Sequence, residues 1–160
     1  TGGIILAGNH VANADGVFMA IAAGPKRFMR GLGKQEVFKI PVLGWWLRAN
    51  GMISLDRRGD IGAMRAATTV LKEGGCLLVF PEGTRSKTGE PGPPKAGLGF
   101  LAGNSGALVV PVHIFGTRKW PWVSKVELRF GPGVRYQGSP SDRDASLAFG
   151  RDVMSRIFAL

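Results

Sequence analysis

One cysteine, one tyrosine and two histidines are all that the 160 residues hold of those types. The lone Cys76 rules out an internal disulfide and suits a reducing, cytoplasmic setting. His10, His113 and Cys76 are too few nitrogen and sulfur ligands for a structural zinc site, so no metal is expected. No apolar run approaches the ~20 residues a helix needs to cross a bilayer. A Gly-x-Ser-x-Gly elbow is absent, and Cys76 lies in the apolar run Cys76-Leu77-Leu78-Val79-Phe80 rather than in a cleft motif. A serine or cysteine acyl carrier is therefore not expected. Nothing repeats and no linker divides the chain, so residues 1–160 are expected to form one domain with a substantial core.

Acidic residues are scarce too: 11 Asp plus Glu against 21 Lys plus Arg give a formal charge of +10. Such a surface favours anionic partners, whether nucleic acid, acidic lipid headgroups or phosphorylated substrates. Zinc-finger spacing is absent, and a single tyrosine, Tyr136, offers nothing like the aromatic signature of a strand-binding sheet. Nucleic acid is not expected as a partner; an anionic membrane surface is.

Strand-like runs fall at residues 4–7, 27–31, 52–55, 76–80, 108–114 and 125–130. Between two of them a helical pattern starts at Asp60 as N-cap, carries Ile61, Met64, Thr68 and Leu71 on one face, and stops at Gly74. A second spans residues 142–158 behind Ser141 as cap, with Leu147, Met154, Ile157 and Phe158 roughly in register. Strands alternating with helices predict an α/β domain, a mixed, largely parallel sheet flanked by helices on both faces. Residues 86–94, dense in glycine and proline, predict a surface loop. It reads equally as a cover for substrate and as a solvated connector.

Chemistry concentrates where the first strand gives way to a helix. In Asn9-His10-Val11-Ala12-Asn13-Ala14-Asp15 a carboxylate in the first helical turn can reach back to the imidazole upstream. A carboxylate on one ring nitrogen fixes the tautomer and leaves the other nitrogen free to accept a proton. Free imidazole titrates at about 6.5, so this pair suits the activation of a hydroxyl near neutral pH. His113, inside Val110-Pro111-Val112-His113-Ile114, reads instead as a satisfied strand histidine. Gly97-Leu98-Gly99-Phe100-Leu101-Ala102 imitates a dinucleotide fingerprint, but a proline-rich loop rather than a strand precedes it.

Three further blocks follow in order: Gly51-Met52-Ile53-Ser54-Leu55-Asp56-Arg57-Arg58, Phe80-Pro81-Glu82-Gly83-Thr84-Arg85-Ser86, and Val109-Val110-Pro111-Val112. Together with Gly33-Lys34-Gln35-Glu36-Val37-Phe38, Pro41, Gly44 and Lys95-Ala96-Gly97, this succession resembles the lysophosphatidic acid acyltransferase family of glycerolipid acyltransferases. The resemblance runs from about Ile4 to about Gly116. It implies transfer of a fatty acyl group from acyl-CoA or acyl carrier protein to the free hydroxyl of 1-acylglycerol 3-phosphate, giving phosphatidate in phospholipid biosynthesis. The thioester is a co-substrate, and no cofactor is expected. Glycerol 3-phosphate, another lysophospholipid or a lipid-linked sugar could serve as acceptor with the same residues, and a non-catalytic membrane-binding module is the reading from another class.

On this resemblance His10 is the base and Asp15 its orienting partner. Lys34 matches a lysine that could stabilise the thioester oxyanion, or be an ordinary surface cation. Arg85 and Arg57 are expected to grip the acceptor phosphate with their planar donor forks, Arg58 being a solvated neighbour. Gly83 permits close backbone approach and Thr84 adds a hydroxyl. Glu82 is expected to order neighbouring arginines or accept the acceptor hydroxyl, and Lys95 to hold the loop before it or contact phosphate. Ala12 stands where family members often have serine, so Asn13 is expected to cap the helix instead.

Trp45, Trp46 and Arg48, and again Arg118, Lys119, Trp120 and Trp122, set tryptophan beside cations, a pairing favoured at lipid headgroups. Membrane association at the cytoplasmic face is the expectation, with core packing of Trp45 or Trp46 as the alternative. Family members generally carry a helical membrane-attaching segment ahead of the histidine; this chain is expected to lack it.

Overall fold

The structure, a computed structural model, describes residues 2–24, 29–49, 51–55, 61–122 and 125–160. Among them six strands form one sheet: β1 (Ile4–Gly8), β2 (Met29–Lys34), β3 (Ile53–Leu55), β4 (Cys76–Val79), β5 (Leu108–Phe115) and β6 (Glu127–Phe130). The order across the sheet is β3-β2-β4-β1-β5-β6. Every pairing is parallel except β5 with β6, which matches the predicted mixed sheet. β2 runs on past the predicted end at residue 31 to Lys34, and residues 27 and 28 of that prediction lie outside the described ones.

Alternation along the central strands sends side chains to two cores. Ile5, Ala7, Leu77, Val79 and Val109 meet α4 (Ile61–Lys72), α5 (Gly97–Ser105) and α6 (Arg143–Phe158) on one face. Leu6, Cys76, Leu78, Val112 and Ile114 gather with Met19 of α1 (Asp15–Ala23) on the other. Two further helices, α2 (Gln35–Phe38) and α3 (Pro41–Ala49), lie between β2 and β3 in the chain.

The inward stripe of α4 is Ala63, Ala67, Val70 and Leu71, with Met64 partly buried beside it, whereas the predicted Ile61 is exposed. The end of this helix comes so close to Gly3, just ahead of β1, that a Cβ there would stand 2.2 Å from the Leu71 carbonyl oxygen, which leaves no room for any side chain. Gly74, at φ 81°, ends α4 as predicted; the predicted cap, Asp60, lies outside the described residues. Asp142 rather than Ser141 caps α6: its side chain accepts from the Ala145 amide at 3.0 Å, while the Ser141 hydroxyl pairs with that of Ser139. Residues 86–94 contain neither helix nor strand, in agreement with the predicted loop.

One consequence of parallel pairing governs the rest. The registers Ala7 with Val79, Gly8 with Val112 and Gly31 with Leu78 bring the C-terminal ends of β1, β4, β5 and β2 to one edge. The segments after these strands carry His10, Glu82 and Thr117, and that edge is where ligand sites of open α/β sheets collect.

Candidate active site

Where β1 leaves the sheet, Asn9 takes over its pairing with side-chain atoms. Its amide Nδ2 donates to the Ile114 carbonyl (3.1 Å) and its Oδ1 accepts from the Ile114 amide (2.7 Å), both buried. This clasp fixes the backbone immediately before His10.

Beyond it the chain curls over one carboxylate oxygen. Asp15 Oδ2 accepts from the Val11 amide (2.7 Å), the Ala12 amide (2.8 Å) and His10 Nδ1–H (2.9 Å). The predicted Asn13 cap is not formed: Ala14 is the N-cap of α1 and contributes no side-chain bond. Asp15, at the first position of the helix, reaches backward and satisfies the turn instead, which is why a serine in place of Ala12 is dispensable.

Asp15 is fully buried, and burial by itself would push its carboxyl up. The bonds from His10, Ala12 and Val11 outweigh this, and the carboxyl lies below its ordinary value near 3.8. The Thr117 hydroxyl also faces the carboxylate and favours its charged form, yet it falls short of hydrogen-bonding geometry. Asp15 Oδ1 and Thr117 Oγ1 are both buried without a partner among the described residues. An anionic oxygen that accepts two amides requires the proton to sit on His10 Nδ1. Nε2 is then a bare lone pair, and it has no partner among the described residues.

The imidazole lies flat on Phe80, with centroids 3.9 Å apart and planes 9° from parallel, and its side chain is 21% exposed. It is held on one side and at Nδ1 while remaining open to a ligand. The backbone of His10 is tied to the third block from both directions: its amide donates to Glu82 Oε1 (3.3 Å), and its carbonyl accepts from the Ser86 amide (2.7 Å).

Glu82 is buried, and its other oxygen accepts from the Gly92 amide at 3.0 Å. The predicted link to arginines is not present among the described residues; the carboxylate braces the His10 segment and the 86–94 loop instead. Gly83, at φ 66°, occupies a left-handed conformation that a side chain would strain, and a Cβ there would come within 2.8 Å of the Lys95 chain. Lys95 thus lies across Gly83, while its own amide donates to the Pro81 carbonyl (2.8 Å). Thr84 and Arg85 are exposed, with no hydrogen bond or ion pair to another described residue.

The loop after Arg85 is strapped from β5. Arg118, in the 3-10 turn Thr117–Lys119, donates to the carbonyls of Lys87 and Thr88. Within the loop the Ser86 hydroxyl donates to the Glu90 carbonyl and accepts from the Gly89 amide.

Lys34 is the last residue of β2, paired with Leu55; its side chain lies outside the description. Asp56, Arg57 and Arg58 of the second block lie outside the described residues, while Ile53–Leu55 of the same block form β3. His113 departs from its prediction as a satisfied histidine: Nδ1 is buried without a partner among the described residues. The ring stacks on Phe115 and meets Phe158 edge-on. Burial, then the nearby Arg129 charge, lower its pKa, as suits a neutral packed ring away from His10. Asn9, Phe80 as a stacking surface, and Thr117 are the site residues that the sequence did not announce. Their roles arise from contacts between segments distant in the chain.

A family model described as Acyltransferase matches residues 1–115. The chain is 37% identical over 91 residues to the chloroplastic 1-acyl-sn-glycerol-3-phosphate acyltransferase BAT2 of Brassica napus, spanning 55% of this chain and 26% of that protein. It is 30% identical over 132 residues to the 1-acyl-sn-glycerol-3-phosphate acyltransferase of Streptococcus pneumoniae, spanning 79% and 48%. The crystal structure of the 1-acyl-sn-glycerophosphate acyltransferase PlsC from Thermotoga maritima superposes with a TM-score of 0.73 at 28% identity, covering 96% of this chain and 64% of that one. The chain therefore spans less than two thirds of each of these proteins. Matched in sequence over residues 1–115 and in fold over nearly its whole length, it belongs to the acyltransferase family, with lysophosphatidic acid acyltransferases among its relatives.

Proposed function

We propose that the protein is a 1-acylglycerol-3-phosphate O-acyltransferase. It moves a fatty acyl group from acyl-CoA or acyl carrier protein to the free hydroxyl of lysophosphatidate and releases phosphatidate and a thiol. The observation that carries this reading is the His10–Asp15 pair, with Nδ1 on a buried carboxylate and Nε2 bare, seated beside Glu82-Gly83-Thr84-Arg85. Nε2 accepts the hydroxyl proton as the alcohol oxygen attacks the thioester carbonyl. The tetrahedral intermediate collapses with loss of the C–S bond, and the proton passes from His10 to the departing sulfur. Base catalysis of this kind contributes about 10²–10⁴-fold. Because the thioester is already activated, no covalent carrier and no resident cofactor are required.

Arg85, free of ion pairs to described residues, reaches the acceptor phosphate together with Arg57. Gly83 and Thr84 offer a close backbone approach and a hydroxyl, and Lys95, laid over Gly83, adds a further cation at the same place. Lys34, at the end of β2, supplies charge to the developing oxyanion.

The enzyme works at an anionic membrane surface. No helix among the described residues is long and apolar enough to span a bilayer. Trp45 and Trp120 are more than half exposed and Trp122 is 91% exposed. Trp120 meets Phe18 of α1 edge-on, next to the exposed Val17 and Ile21 and to Arg118 and Lys119. An apolar ledge fringed by cations fits the headgroup region and would deliver the lipid acceptor beside His10.

The test is turnover of labelled oleoyl-CoA against a panel of lysophosphatidate, glycerol 3-phosphate and other lysophospholipids, by wild type and His10→Ala. Wild-type product from lysophosphatidate alone, abolished in the variant, is expected. Preference for another acceptor would reassign the substrate, and vesicle binding with no turnover on any acceptor would favour an adhesion module.

A further inference from the structure

The His10–Asp15 pair contains an imbalance. Oδ2 of the carboxylate carries three donors, whereas Oδ1, equally buried, carries none among the described residues. An anionic oxygen removed from water without a donor is costly. Thr117, which acts on the same carboxylate, shows the opposite deficiency: its hydroxyl, on a residue only 2% exposed, has no acceptor among the described residues.

Two independent contacts hold these groups together. The Asn9 clasp on Ile114 fixes the end of β5 against the end of β1, three residues before Thr117. The edge-on contact of Phe18 with Trp120 fixes α1 against the 3-10 turn, with Asp15 and Thr117 each three residues upstream of the contact. Thr117 follows Gly116, whose φ of 84° lets the chain turn sharply out of β5 toward the site. A small adjustment across this joint, or a rotation of the hydroxyl, would complete the bond.

We propose that Thr117 is a positioning residue for the base: its hydroxyl donates to Asp15 Oδ1 and holds the carboxylate so that Oδ2 stays on His10 Nδ1–H through proton transfer. Without that bond the carboxylate is anchored at one oxygen and can pivot, and the imidazole pivots with it. Thr117 touches neither substrate. Its effect passes through Asp15, so it acts on the chemical step and leaves substrate binding unchanged. This inference rests on His10 being the base.

Thr117→Val deletes the hydroxyl while keeping the shape, Thr117→Ser keeps the hydroxyl, and Thr117→Ala deletes it without retaining a methyl that could clash. Acyl transfer to lysophosphatidate is measured together with the proton resonance of His10 Nδ1–H, which lies downfield when it is held on a carboxylate. With Thr117→Val and Thr117→Ala, kcat is expected to fall about ten-fold and KM for either substrate to stay within about two-fold. The downfield resonance is expected to shift or broaden in both, and Thr117→Ser should restore rate and resonance. Wild-type kcat in the two deletions would overturn the proposal. So would a loss shared equally by Thr117→Ser with the resonance intact, since that pattern marks a packing role. The resonance needs no turnover, so it reports on Thr117 and Asp15 even if His10→Ala shows the base assignment to be wrong.

Discussion

The edge of the sheet holds two neighbourhoods built to opposite rules. Around the imidazole, Asn9, Asp15 and Glu82 are buried, and their carboxylate and amide atoms are bound mostly to backbone. A few residues away Gly83, Thr84, Arg85 and Lys95 are exposed, and Arg85 meets no acid among the described residues. The contrast follows from the tasks proposed for each. Proton transfer depends on geometry fixed before the substrate arrives, which buried side-chain-to-backbone bonds supply. A phosphate clamp needs cations that are not already neutralised and that order on the ligand. Mutations should therefore act differently on the two sides.

The largest effect is expected from His10→Ala, with kcat down about 10²–10⁴-fold and KM for lysophosphatidate nearly unchanged. Asp15→Asn should come next, at about 10²-fold in kcat, because an amide can present its N–H₂ to the ring and favour the wrong tautomer. Asp15 also links the site to stability. Its folded-state carboxyl lies below the ordinary value near 3.8, so the unfolded chain binds a proton first as pH falls. Its stabilising contribution is complete above that value and is lost as pH drops through the folded-state pKa. Denaturation midpoints of wild type and Asp15→Asn should accordingly converge at acid pH and separate toward neutrality.

On the exposed side, Arg85→Ala is expected to raise KM for the phosphate acceptor about ten-fold while the thioester KM and the melting temperature hold. A rise confined to the thioester would place Arg85 on the other substrate. Glu82→Gln sharpens the border between the two regions. A neutral amide keeps only one oxygen for the two backbone amides of His10 and Gly92, so stability should fall by about 1–2 kcal/mol. The smallest effect is expected for Trp122→Ala, a few-fold loss of binding to anionic vesicles with soluble-substrate turnover intact.

Legibility in the sequence divides along similar lines. The strands were visible because Ile4-Ile5-Leu6 and Cys76-Leu77-Leu78-Val79 are apolar on both faces, as buried parallel strands must be. The far end of β2 was missed because Met29-Arg30-Gly31-Leu32-Gly33-Lys34 has two glycines and two cations in six positions. α5 was legible only as a false fingerprint. Its glycines serve packing, since a Cβ on Gly99 would stand 2.5 Å from the Ser146 Cα of α6. Spacing alone could bring Asp15 toward His10, because both lie within one turn of chain. The brace from Glu82 to His10 spans 72 residues and the Asn9 clasp spans 105, distances at which no local pattern survives.

The most direct measurement is a nitrogen-15 spectrum of the protein labelled in its histidine rings, with His10 assigned by His10→Ala. The prediction at neutral pH is a proton on Nδ1 and a bare Nε2, with that preference lost in Asp15→Asn. A proton resident on Nε2 while Asp15 is intact would leave the imidazole nothing to accept with, and His10 could not be the base.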